Sequence, residues 1–526
     1  MSTTEIAKTR QAAHAADAAV QDAAAPGNKN RAARNARKGR RGAAFGTPEQ
    51  PKPAATSTKQ AGARRRRRKW LDKQGWYEYL ASPIKSSTRQ IAGLFLATSA
   101  APTTHEGICV GKEQHTGWPY FHDPFTAYRG RVISSPNVIV LGDIGTGKSS
   151  FIKTWAVLRP LTLGRRVVVV DKKRQEKKRA DGTRVAEGEY ADLARALGVE
   201  PIRFVIGGGG SCINILDPLI AGETTEGSDG GASQMQLLRA VLREALGRAI
   251  KPLEGKALSI ARRVAVDEAR TTGRVATIRD VLRHLENPTE ASAGLLPSRA
   301  SLDDLYLWGR EAAAELERLV SEDLAGLIDG PTSADISLTA GLTVFDISAL
   351  PEDGPAVAIV MAIVNTWLRA VMDAQHDTVP TVFVIEEGWH LMTGTFATIT
   401  QRNQKISRGE ALQNTTAMHH LSDVPPDSPA VATIKEAGTV VLYRQETLED
   451  AKRCVELFNL PPATLATLMS LPQGTAIIKV GARKPVIVTH LRTAWEILLT
   501  DTDSAMHSEA TVALHATTLA GLGEAA

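Results

Sequence analysis

The run Val138-Ile139-Val140-Leu141-Gly142-Asp143-Ile144-Gly145-Thr146-Gly147-Lys148-Ser149-Ser150 decides the fold. Val138–Leu141 reads as a short buried strand. Gly142 to Ser149 then matches GxxxxGK[ST] in full. The glycines let the loop curl until successive backbone N–H groups converge on phosphate oxygens. The helix that starts at Lys148 adds the positive end of its dipole. In a cradle formed by Gly142, Asp143, Ile144, Gly145, Thr146, Gly147, Lys148, Ser149 and Ser150, the lysine reaches the β- and γ-phosphates. The Ser149 hydroxyl completes a Mg²⁺ shell with the nucleotide. The stretch therefore predicts an α/β P-loop core with ATP and Mg²⁺ as cofactors.

Such a site needs an acid near the metal and a second group to orient water. Thr381-Val382-Phe383-Val384-Ile385-Glu386-Glu387 supplies both at the end of an apolar strand, where ligands bind in open α/β sheets. Glu386 is assigned to the Mg²⁺ water shell and Glu387 to water activation. The usual residue at the first position is Asp. The extra methylene of Glu386 carries the carboxylate farther from the metal, so slower hydrolysis is expected. Other candidates read two ways. Asp171-Lys172-Lys173 ends a strand and is either a contact to the nucleotide edge or a charged turn. Asp346 reads as structural. His419 is either a γ-phosphate sensor or a core histidine. Arg402, Arg408 and Arg444 are candidates for an arginine finger from a neighbouring subunit; Arg408, in Ser407-Arg408-Gly409, is favoured.

Around these motifs the apolar patterns alternate. Strands are expected at Val138–Leu141, Arg166–Asp171, Pro201–Ile206, Leu342–Ile347, Thr381–Ile385, Thr415–His419, Gly438–Tyr443 and Ala476–Lys479. Residues 70–135 read as a short helix near Trp70–Leu80 followed by loops, and form an N-terminal segment before the core. The core runs over 136–218 and 329–500. Between its parts, 219–328 has helical period and reads as an inserted all-α subdomain. Leu237, Leu238, Val241, Leu242 and Ala245 share one face there. Leu305, Leu307, Trp308, Ala312, Leu316, Leu319 and Val320 form another. A helix is expected at Ala356–Met372. Apolar strands linked by helices mean a mostly parallel sheet covered on both faces. Residues 501–526 read as a mobile tail.

The 526 residues carry 63 Lys+Arg and 57 Asp+Glu. Residues 1–69 hold 17 of the cations and 4 of the acids, a net of +13, which leaves 46 − 53 = −7 for the remainder. The basic balance therefore belongs to the tail, which lacks the apolar content to offset its ordering entropy and reads as disordered. Arg64 to Lys69 are six consecutive cations. They are a solubilising run, a phosphate-neutralising contact to DNA, or a patch for anionic lipid. Cys109, Cys212 and Cys454 form no CxxC pair, which argues against a disulfide framework or cysteine zinc site. Val357 to Met372, broken by Asn365 and Arg369, reads as too short for a membrane span, and no signal peptide is evident. The reading is a cytoplasmic protein, peripheral at most at the inner face of the cell membrane.

Taken together the motifs resemble the HerA/FtsK superfamily of hexameric motors, most closely the large TraC-like ATPase of type IV secretion and conjugation. Gly107-Ile108-Cys109-Val110-Gly111, Gly117-Trp118-Pro119 and His122-Asp123-Pro124 resemble the family's G…G…tG.P…DP stretch. Glu189-Tyr190-Ala191-Asp192-Leu193 is similar to its E-Y-x-x-L helix. Ile213-Asn214-Ile215-Leu216-Asp217-Pro218 is similar to iNpLD, Leu327-Ile328-Asp329-Gly330-Pro331 to the close of the helical insertion, and Glu386-Glu387-Gly388-Trp389-His390 to D-E-A-W-x. The resemblance covers about 105 to 495. It implies a RecA-like core with a helical insertion, ATP hydrolysis, a homo-hexamer, and docking on a membrane-spanning transfer apparatus. There are two departures: the family's large N-terminal domain is mostly missing, and His419 stands where the family has glutamine. The expected function is an ATP-driven motor for conjugative DNA transfer or type IV-like secretion. The alternatives are an FtsK/HerA-type DNA translocase and a nucleotide-binding scaffold with little turnover.

Overall fold

Strands with no polar side chain on either face can only sit in the middle of a molecule, and Val167 to Val170 are all fully buried. In the computed structural model they lie within an eleven-stranded sheet. The structure describes residues 106–178, 184–221, 231–338, 341–352, 354–374, 379–388, 411–424, 428, 431 and 434–500. It also describes 70, 73 and 74, which fall in a separate unit, Met1–Lys85. The basic segment 1–69, most of the helix expected near Trp70–Leu80, and residues 501–526 lie outside the described residues.

The strands are β1 (Cys109–Glu113), β2 (Pro119–Phe121), β3 (Val138–Leu141), β4 (Arg166–Asp171), β5 (Arg174–Lys178), β6 (Arg184–Gly188), β7 (Ile202–Arg203), β8 (Leu342–Asp346), β9 (Thr381–Ile385), β10 (Leu412–Met418), β11 (Thr439–Leu442), β12 (Thr475–Val480) and β13 (Val486–His490). Their order is β2-β1-β13-β12-β11-β3-β10-β9-β4-β8-β7, with β5 and β6 forming a separate antiparallel pair. From β11 to β7 every neighbouring pair is parallel. From β2 to β11 every pair is antiparallel.

Alternation along each strand sends side chains to opposite faces. Val138, Val140, Val167, Val169, Val382 and Val384 pack with Phe151, Trp155 and Val157 of the helix that follows the phosphate loop. That helix runs Lys148–Phe151, then a π-helical stretch Ile152–Leu158, then Arg159–Thr162. On the other face, Ile139, Leu141, Val440 and Leu442 meet Ala451, Cys454 and Leu468 of the helices Leu448–Leu457 and Thr464–Ser470. Farther along that face, Val168, Val170, Phe345, Phe383 and Ile385 meet Ala356–Ala374 and the helical block as one cluster. Each Val, Leu, Ile or Phe so buried contributes about 1.5–3 kcal/mol.

Between Pro218 and Asp323 the described residues form helices, chiefly Ala232–Leu246, Pro252–Thr271, Ile278–Glu286 and Leu302–Arg318. Thr277 with Asp280 and Ser301 with Asp304 form capping boxes that satisfy the first N–H groups. Two of the motifs clasp each other at the base of the block. Ile213 N–H donates to Leu327 O at 2.8 Å, and the Thr332 hydroxyl donates to Asp217 at 2.6 Å. Leu305, Ala312, Leu316, Leu319 and Val320 are buried as expected. Leu307 is 55% exposed, because two helical steps of about 100° carry it to the far side from Leu305.

Several expectations change. The stretch up to residue 135 is not all loop after the first helix: β1 and β2 extend the main sheet. They are short and partly charged, and an antiparallel margin need not be apolar on both faces. The strand expected at Pro201–Ile206 shrinks to Ile202–Arg203, because the chain folds back with Ser211 N–H on Arg203 O and Gly207 N–H on Ala325 O. β10 starts at Leu412, three residues before the expected start. Its polar Gln413 and Asn414 are buried and bonded to Thr415 and Asn137. Ala356–Ala374 is, by length and composition, the one described helix apolar enough to cross a membrane. Here it is a core helix; Asn365 and Arg369, read as interruptions, are both buried.

His490, at the end of β13, shows how the sheet depends on pH. Its Nδ1–H donates to Val110 O at 2.7 Å and its ring meets Phe151 edge-on at 5.2 Å. Burial pushes its pKa down to about 4. The unfolded imidazole titrates near 6.5, so between those values the unfolded chain binds the extra proton. Stability is therefore full above about pH 6.5 and falls toward pH 4, by about 3 kcal/mol for this group. Unfolding free energies from urea titration of wild type and His490→Gln, compared at pH 7.5 and pH 4.5, should differ in their pH dependence by about 2.5 kcal/mol.

Candidate nucleotide-binding site

The carboxyl ends of β3, β10, β9 and β4 lie side by side. β10 lies between the strand that carries the phosphate loop and the strand that carries the acids. The loop turns sharply: Gly142, Gly145 and Gly147 have φ of 150°, 75° and 105°. A Cβ on Gly142 would lie 2.4 Å from the Tyr443 Cβ, so only glycine fits that turn. Among the described residues, the N–H groups of Ile144, Gly145 and Gly147 donate to no backbone carbonyl. The Asp143 side chain faces the loop after β11, where it accepts from the Glu446 N–H. Thr146 Oγ1 donates to Asp143 O at 2.7 Å. Ser149 and Ser150 begin the helix and are partly exposed.

The structure brings Lys148 and Glu387 to opposite sides of one imidazole. Lys148 Nζ donates to Gly142 O, to Asp143 O at 2.9 Å and to His419 Nδ1 at 3.1 Å. His419 Nε2 lies 3.0 Å from Glu387 Oε1. Burial pushes the Lys148 pKa down to about 8 against the pull of Glu386, Glu387 and Asp143, so its ammonium is charged at pH 7. Glu387 has φ +54°, a left-handed conformation that costs a non-glycine residue about 1 kcal/mol or more. Gly388 follows because a Cβ there would meet Thr416 Cγ2 at 2.1 Å.

Glu386 is placed differently. It is buried, and Oε1 accepts the Tyr190 hydroxyl at 2.7 Å. Burial and the neighbouring Glu189 raise its pKa. Behind it, Lys153 Nζ donates to Glu189 at 2.9 Å and Lys173 pairs with the same carboxylate at 2.9 Å. Burial would raise the Glu189 pKa, but the two ammonium groups outweigh it and the net direction is down. The Glu189-Tyr190 motif thus holds the strand-end acid from behind; in sequence it carried only a family resemblance. Asp171 accepts from the Tyr190 and Lys173 N–H groups at 2.7 and 3.1 Å, and Lys172 Nζ donates to Leu350 O at 3.1 Å. Those two residues shape the turn, as does Asp346, which accepts from the Gly188 and Ser348 N–H groups. His122-Asp123 is likewise structural. His122 O accepts from the Trp155 indole at 3.1 Å, and Asp123 caps Pro124–Arg129 and pairs with Arg165 at 2.7 Å.

Arg402, Arg408, Trp389 and His390 lie outside the described residues. Arg444 lies beside this chain's own loop, where Asp143 N–H donates to its carbonyl and Glu446 pairs with its guanidinium at 3.0 Å. The donor set fits a magnesium nucleotide. No group of three or more His, Cys, Asp or Glu able to hold a metal occurs among the described residues. Mg²⁺ would take the Ser149 hydroxyl and phosphate oxygens, with Glu386 reaching it through water. The sequence left His419 open between a γ-phosphate sensor and a core histidine; its partners are 271 and 32 positions away.

No family model matches the sequence, and no curated protein does. Among solved structures, VirB4 of Thermoanaerobacter pseudethanolicus superposes with a TM-score of 0.59 at 20% identity, over 76% of this chain and 100% of that one. The plasmid coupling protein TrwB in complex with ADP and Mg²⁺ gives a TM-score of 0.46 at 14% identity, over 79% of this chain and 97% of that one. The chain has an α/β, RecA-like P-loop core, and its fold is similar to that of VirB4.

Proposed function

We propose that this chain is a Mg²⁺-dependent ATPase that works as a motor for conjugative DNA transfer or type IV-like secretion. The observation that carries the hydrolytic part is the Lys148–His419–Glu387 line, which joins a phosphate-binding lysine to an acid able to orient water. The loop amides and Lys148 bind and orient the phosphates. Ser149 and Glu386 would hold Mg²⁺, which supplies charge neutralisation at the transferred phosphoryl group. Glu387 takes a proton from the attacking water. The motor role is supported by the fold shared with VirB4 and by the motif set from Gly107 to His390. The same reading includes a homo-hexamer with Arg408 acting across the subunit boundary. It also includes partners in a membrane transfer apparatus, a cytoplasmic position at the membrane's inner face, and DNA contact through the basic tail.

An ATPase assay with and without single- and double-stranded DNA, on chains with and without residues 1–69, tests this reading. Mg²⁺-dependent turnover without DNA is expected. Strong stimulation by double-stranded DNA would reassign the chain to DNA translocation. Nucleotide binding without turnover would make it a scaffold.

A further inference from the structure

We propose that His419 is a positioning residue: a neutral imidazole, protonated on Nε2, that holds the Lys148 ammonium and the Glu387 carboxylate in one line. The proposal rests on the hydrolytic reading above and deepens it.

The neighbours dictate the tautomer. A carboxylate only accepts, so Nε2, 3.0 Å from Glu387, carries the hydrogen. An ammonium only donates, so Nδ1, 3.1 Å from Lys148, is bare. The Nδ1–H tautomer would fail both contacts at once. The imidazolium would turn an N–H against the ammonium and break the lysine link. Among the described residues, the charges that act on Lys148 come from Glu386 and Glu387 at the end of β9, Asp143 in the loop and Lys173 after β4. His420 follows on the same chain, its ring centre 6.4 Å away.

Two independent features say that the acid needs holding. Glu387 has a left-handed backbone, a conformation that persists only where its surroundings over-determine it. Gly388 packs against Thr416 of β10, the strand that ends one residue before His419. The acid's strand and the histidine's strand are therefore locked together where the side chains meet. A hydrophobic side chain at 419 would keep the packing but remove both bonds. A glutamine would keep both, since its amide oxygen can accept from the ammonium and its NH₂ can donate to the carboxylate.

The test has two readouts on the full chain. With ¹⁵N-histidine labelling, two-bond ¹H–¹⁵N correlation should show one Nε2–H tautomer that His419→Gln removes. A tautomer mixture, or the Nδ1–H form, would overturn the proposal. This readout needs no turnover, so it stays legible if the hydrolytic reading fails. In steady-state ATPase, His419→Leu should lower kcat about 10- to 100-fold, with a smaller change in KM. His419→Gln should stay within about threefold of wild type. The proposal fails if His419→Leu is as active as wild type, or if His419→Gln is as impaired as His419→Leu while both variants melt like wild type.

Discussion

Glu387→Gln should bind ATP within about threefold of wild type and turn it over about 100- to 10,000-fold more slowly, the range that a positioned general base supplies. The amide has nearly the carboxylate's shape and can still accept from His419 Nε2, so the Lys148–His419 contact and the left-handed backbone survive. It cannot take a proton from water. Filter binding of radiolabelled ATP beside a phosphate-release assay separates the two quantities. A Glu387→Gln chain that hydrolyses at the wild-type rate would remove the catalytic assignment of Glu387; binding without hydrolysis in wild type and variant alike would leave the scaffold reading standing.

Lys148→Ala should act on binding first. Its ammonium is the charge nearest the phosphate cradle, and a hydrogen bond between charged groups is worth about 1.5–3 kcal/mol. Losing one or two such contacts weakens nucleotide affinity about 100-fold or more, since each 1.4 kcal/mol is tenfold. Three internal acceptors, Gly142 O, Asp143 O and His419 Nδ1, also lose their donor. The loop geometry should loosen as well, so the variant's melting temperature belongs in the same experiment. Unchanged affinity measured by equilibrium dialysis would mean that the phosphates bind elsewhere.

The loop and the acid pair were legible because each is local. Gly142 to Ser149 and Thr381 to Glu387 carry their meaning in consecutive residues. The fold class followed from the uninterrupted apolar runs of β3, β4 and β9, which only a doubly covered parallel sheet explains. His419 was not legible, because its role depends on β10 lying between β3 and β9, and nothing in Thr415 to His420 specifies its neighbours. Tyr190 and Glu189 are similar: a helix start says nothing about which acid 196 positions away its hydroxyl will meet. β1, β2 and β13 escaped notice because their burial alternates or is partial. The start of β10 was hidden by buried amides, which sequence patterning counts as polar and the fold treats as interior.

The helical block between β7 and β8 has no private interior. Leu238, Leu258, Val281 and Leu316 belong to the same apolar mass as Val168, Val170, Phe345 and Phe383. β7 and β8 also run parallel, so the chain between them could never shrink to a hairpin; about a dozen residues is the least that can return it. The block is an enlarged crossover serving as the roof of half the sheet. Trimming it would yield a sticky, wetted slab of valine and phenylalanine, not a leaner protein. Any recombined descendant must import an equivalent lid along with the new helices.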